Sequence, residues 1–168
     1  MKKILSPLLF VAVLMLTGCP LQTEKSIDEG SYDIPSWLMG KWKGKAKTDE
    51  KTTTYLVKKV EGNKTKARAY LCDEKGTPNS EYKDIIFSTV GDKNFINVYE
   101  SGDSTLTDPG YYIYKFDKVS EKEFNLLPVL EHKIDYEVEP KELKAWLLEH
   151  KDDYSIFDVA NIENYKKE

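Results

Sequence analysis

The chain has 168 residues, 40% of them hydrophobic and 32% charged, and 29 acidic side chains outnumber 25 basic ones for a formal charge of -4. That length suffices for one domain with a sizeable core but not for two comfortable ones. The acidic balance argues against a general nucleic-acid binder and against a protein surface that adheres to anionic lipid, so no nucleic-acid partner is expected.

The N-terminus combines Lys2 and Lys3, an apolar run from Ile4 to Leu16, and the sequence Leu16-Thr17-Gly18-Cys19. The run is short and close to the chain start, and it ends on two small residues before a cysteine. Residues 1–18 therefore read as a signal segment rather than a membrane span. The segment resembles the bacterial lipoprotein signal, the lipobox; an ordinary secretory signal is the alternative. The resemblance implies cleavage before Cys19 and lipidation of its thiol and amine by palmitate-type chains, which places the protein in the bacterial cell envelope with the lipid as its membrane link. Loss of Lys2 and Lys3 would leave 23 basic against 29 acidic side chains, a charge of -6. Pro20 follows the cysteine where inner-membrane retention in enteric bacteria has an aspartate, so the outer membrane is favoured over the inner. Cys72 is then the one free thiol, expected to be a small buried hydrophobe with no intrachain disulfide.

Residues 20–35 carry Pro, Gly and mixed charge without apolar periodicity. Residues 19–35 are expected to form a lipidated cysteine and flexible tether, and 36–168 the folded domain. Strand and turn signals follow one another from Gly40 onward. Segments 40–48, 52–60 and 64–72 read as strands, with Glu61-Gly62-Asn63 as a turn between the last two. Ala67, Ala69 and Leu71 share one face of the third segment, and Lys66, Arg68 and Tyr70 share the other, the period of a sheet with one solvated side. A loop is expected over 73–81, then strands over 83–90 and 94–100 about Gly91-Asp92, a loop over 101–110, and strands over 111–118 and 123–130. Pro140 suits the first position of a helix, and Leu143, Trp146, Leu147 and His150 recur at helical spacing through 141–151. A final strand is expected within 154–165.

The count predicts an all-β domain: a single eight-stranded antiparallel barrel with one short helix before the final strand, closed by setting the last strand beside the first. Trp37-Leu38-Met39-Gly40-Lys41-Trp42 resembles the Gly-x-Trp opening of the lipocalins, with Gly40 and Trp42 in the motif positions. The resemblance implies a lipocalin-like barrel with Trp42 on the first strand, packed across the barrel floor. The overall layout is also similar to small lipocalin-like lipoproteins of bacteria.

A barrel of this size has room for a filled core or for one small ligand. Tyr112, Tyr114 and Phe116 alternate onto one face, and Tyr99 with Phe95 forms an alternating pair on the preceding strand. A cup framed by Tyr70, Phe87, Tyr99, Tyr112 and Tyr114 would bind a small hydrophobic or amphipathic molecule, the rings forming walls and the hydroxyls orienting a polar head. Packing of the same rings into a solid core explains the pattern equally well. In that case the loops or outer face would bind an envelope protein or polymer, in the manner of an inhibitor, with Asp73, Glu74, Asp103 and Asp108 favouring a basic partner. The helix residues Leu143, Trp146 and Leu147 are expected to cover the barrel or plug one end. No catalytic motif is present, no cofactor is implied, and His132 and His150 show no spacing that predicts a metal site.

Overall fold

The computed structural model describes residues 20–47, 52–101, 108–131 and 134–168. A two-residue strand, β1 (Gln22–Thr23), precedes β2 (Gly40–Ala46), β3 (Thr52–Lys59), β4 (Lys66–Cys72), β5 (Pro78–Val90), β6 (Lys93–Glu100), β7 (Gly110–Ser120) and β8 (Glu123–Pro128). From β2 to β8 each strand pairs antiparallel with the next. After helix α1 (Pro140–His150), strand β9 (Glu163–Lys167) inserts between β2 and β8, with Gly44 opposite Tyr165 on one side and Phe124 opposite Tyr165 on the other. The result is a single closed eight-stranded antiparallel barrel with one short helix before the final strand, a lipocalin-like fold. Closure satisfies the hydrogen bonds that an open sheet would leave along its edges. Strand β1 pairs with the stretch of β7 that β8 does not reach, Gln22 opposite Tyr112 and Thr23 opposite Tyr111.

Strand alternation divides the apolar residues into two clusters. Leu38, Trp42, Val57, Phe87, Ile96, Phe116, Phe124 and Leu126 gather inside the barrel. Leu21, Ile27, Val90, Phe95, Ile113, Val129, Leu143, Leu147 and Phe157 form a second cluster on its outer wall. The 3-10 turn Ser36–Leu38 supplies Leu38 to the inner cluster, and the fully buried Trp42 donates its indole N–H to the Leu38 carbonyl at 2.7 Å. Trp42 thus occupies the floor that the Gly-x-Trp resemblance implied.

Three expectations change. The expected tether is a packed strap: Leu21, Ile27 and Ile34 are 0%, 1% and 5% exposed. Apolar residues six and seven positions apart show no period in sequence, and their burial depends on the outer wall they lie against. Asp28 fastens the strap, accepting from Ser88 Oγ at 2.6 Å, Lys144 Nζ at 2.6 Å, Ser31 Oγ at 2.7 Å and the Gly30 N–H at 2.9 Å. Residues 1–19, including the signal segment and Cys19, lie outside the described residues.

The loop expected over 73–81 is shorter, because β5 begins at Pro78, a first-strand position proline tolerates. Asp73 Oδ1 accepts the N–H groups of Lys75 and Thr77, and Gly76 takes φ +74°, making a tight turn of what the sequence offered as a longer loop. Residues 154–156 form a 3-10 turn rather than the beginning of the last strand. Ile156 and Phe157 join the outer cluster, and Asp158 accepts the N–H groups of Ala160 and Asn161 before β9 begins. Of the two places expected for the helix, α1 takes the first and covers the outer wall of the barrel. An eleven-residue helix is marginal alone, and burial of Leu143 and Leu147, each stabilising by about 1.5–3 kcal/mol, holds it.

Candidate functional site in the barrel interior

The inner cluster leaves a cavity of about 130 Å³. Trp42, Leu38, Phe116 and Phe124 form its lower part, and Val57, Ala69, Ile85, Phe87, Ile96, Val98 and Leu126 its walls. Tyr55, Tyr114, Tyr165, Lys83 and Glu163 complete the lining. Tyr55, Lys83 and Tyr114 each stand nearer the barrel end that carries the 73–77 turn than the next apolar lining residue of the same strand, Val57, Ile85 and Phe116, and Glu163 stands nearer it than Tyr165. One end of the cavity is therefore apolar and the other polar.

Register explains how β9 contributes. Leu126 lies opposite Glu163 and Phe124 opposite Tyr165, so both β9 residues share the inward face. The Tyr165 ring stacks on Phe124 at 4.9 Å between centroids with a 9° interplanar angle. It also lies directly over Gly44, where an added Cβ would come within 2.3 Å of a ring carbon. A glycine at this position of β2 is what lets the ring enter the barrel.

The polar groups differ in how well they are satisfied. Tyr165 donates its hydroxyl hydrogen to Glu163 Oε2 at 2.6 Å. Burial pushes the Glu163 carboxyl above the usual carboxylate range, against the opposing pull of that hydrogen bond and of Lys83. Burial, reinforced by the Glu163 charge, pushes the Tyr165 hydroxyl well up. Lys83 forms an ion pair with Glu100 at the partly exposed rim. The Tyr55 and Tyr114 hydroxyls have no hydrogen-bond partner among the described residues. No fully buried side-chain polar atom there lacks a partner, so both hydroxyls keep some exposure, and both residues line the cavity. Burial raises both tyrosines above the ordinary phenol value.

The residues singled out from sequence divide between the two faces. Phe87 and Tyr114 line the cavity. Tyr112 shares their inward register, opposite Val98, but lies beyond the cavity lining. Tyr70 and Tyr99 point outward: Tyr70 packs on Tyr82 at 5.5 Å and Tyr99 on Tyr111 at 5.2 Å. Phe95 is fully buried in the outer cluster. Of the acidic loop residues, Asp73 is engaged in its own turn and Asp103 lies outside the described residues.

His132 also lies outside the described residues, while His150 stacks on Trp146 at 4.6 Å with Nδ1 2.9 Å from the Trp146 carbonyl. Among the described residues no three His, Cys, Asp or Glu side chains converge on a metal position.

Sequence reasoning missed Tyr55, Lys83, Glu163 and Tyr165. Alternation did point to Lys83, since Ile85 and Phe87 continue its face. No such signal marks β9, whose inward residues are Glu163, Tyr165 and Lys167. Fold and cavity together define a lipocalin-like barrel with an amphipathic interior. No protein-family model, no curated protein and no solved structure matches the chain.

Proposed function

We propose that this protein is a lipid-anchored component of the bacterial cell envelope, favoured in the outer membrane, that holds a small, partly apolar molecule inside its barrel. The observation that carries the binding role is the cavity itself: an apolar lower part meets two tyrosine hydroxyls that have no partner among the described residues. A barrel built only for stability would fill such a space, because each empty methyl-sized void costs stability. The volume, about 130 Å³, is comparable to a cavity of roughly 150 Å³ that accepts benzene, so the molecule or its buried part is small. The anchoring role rests on Leu16-Thr17-Gly18-Cys19.

Native mass spectrometry of residues 20–168, purified without detergent, tests the cavity. An adduct of defined mass that disappears on denaturation is expected; a bare mass in every preparation, together with no uptake of small aromatic probes, overturns the reading. Metabolic labelling with a palmitate analogue tests the anchor, with incorporation expected in the native chain and lost in Cys19→Ser.

A further inference from the structure

We infer that the cavity selects a small organic cation, a ring-sized apolar group bearing an ammonium, with Glu163 as its counter-charge. The inference rests on the reading of the barrel as a binding cup and adds the chemistry of the ligand's head. Three charged groups bear on the site. Lys83, also on the cavity wall, is ion-paired with Glu100 at the rim and acts on Glu163 only at longer range, which leaves Glu163 as the wall charge with no ion-paired cation among the described residues. Glu163 accepts one hydrogen bond, from Tyr165 to Oε2, and its other oxygen has no hydrogen-bond donor among the described residues.

A carboxylate so enclosed is costly unless a cation joins it. A bound ammonium would supply that cation, and its three N–H donors could be met by Glu163 and by the lone pairs of the Tyr55 and Tyr114 hydroxyls. Tyrosine faces in the same wall add attraction for positive charge, and Trp42, Phe116 and Phe124 receive the apolar part. An anionic ligand would meet Glu163 with Lys83 already committed to Glu100. A neutral alcohol would fill the space but leave the carboxylate without its counter-charge.

Residues 20–168 contain every member of the two apolar clusters formed by the described residues, and native mass spectrometry and the NMR spectrum of this fragment report whether it is folded before titration. Benzylamine and benzyl alcohol are matched in size and differ in charge at neutral pH. Titration of both, followed by NMR shifts of the Trp42 indole N–H, should show benzylamine binding at least tenfold more tightly. In Glu163→Gln the amine should lose that advantage while benzyl alcohol binding persists, showing that the cup remains intact. Equal or tighter binding of benzyl alcohol by the native protein overturns the cation selection and leaves the cup standing. A preference for benzylamine that survives Glu163→Gln overturns the assigned counter-charge. Failure of both probes overturns the cup itself.

Discussion

The inside of the barrel and its outer wall are built from similar apolar residues but treat their polar groups differently. Under the strap and helix, buried polar groups are paired off. Asp28 accepts four donors, and Asn97 donates to the Ile86 carbonyl and Ser88 while accepting the Ile27 N–H. Inside, among the described residues, two tyrosine hydroxyls of the cavity wall have no hydrogen-bond partner and one Glu163 oxygen has no donor. The outer wall has the organisation of a structural core. The interior has hydrogen-bonding capacity that a ligand can complete, which is why the proposed binding role is placed there and not in the outer layer.

The largest contrast should come from truncation. Leu147→Ala opens a void beneath the helix and should cost about 2–5 kcal/mol in urea unfolding, whereas Val98→Ala, beside space already empty, should fall at or below the low end of that range. Comparable losses at the two sites would remove the distinction between a solid outer wall and a hollow interior.

Next in size, Asp28→Asn should lose about 1.5–3 kcal/mol at neutral pH, the scale of hydrogen bonds to a charged group. Burial alone would raise the Asp28 carboxyl, but the donors Lys144, Ser88, Ser31 and Gly30 together hold it below the usual carboxylate range. The folded state therefore binds this proton less readily than the unfolded chain does. Its contribution is present above the unfolded carboxyl's ordinary value near 3.8 and is lost as pH falls through the lower folded value. Acid unfolding curves of the native protein and Asp28→Asn should converge in that acid range.

Enlargement sharpens the contrast in the opposite direction. Val57→Ile adds one methyl group to the cavity wall and should be neutral or stabilise by up to about 0.8 kcal/mol while weakening probe binding. Val129→Ile adds the same group where Val129 is fully buried in the outer cluster and should destabilise by about 1–3 kcal/mol.

Glu163 should show the smallest effect on stability. Its carboxyl is raised in the folded state, so folding binds the proton more tightly and stability falls as pH rises from the ordinary value of 4.5 through the higher folded value. Glu163→Gln should flatten that slope and be at least as stable as the native protein at neutral pH. A steeper slope in the variant would mean that Glu163 is better satisfied in the fold than its surroundings indicate.

Much of the scaffold was legible because its strands carry local alternation. Ala67, Ala69 and Leu71 announce the inward face of β4, and Tyr112, Tyr114 and Phe116 that of β7. Pro140 and the spacing of Leu143 and Leu147 announce the helix. The candidate site was legible only in part. Phe87 and Tyr114 lie on recognisable apolar faces, but Tyr70 has the same composition and alternates outward. A tyrosine fits either side of a strand, so residue type could not choose between them.

The strand rhythm, the turns at Gly62 and Gly91, the helix and the all-β class can all be read along the chain, because each follows from contacts within a few residues. Folding over longer range was needed to place residues 20–35 as a strap, to set the closing strand at Glu163–Lys167 rather than earlier, and to bring Glu163, Tyr165, Tyr55 and Tyr114 to one cavity. Those outcomes depend on partners far apart in sequence. Neither a strap whose apolar residues stand six and seven apart nor a strand with Glu and Lys on its inward face carries a local period from which its place could be read.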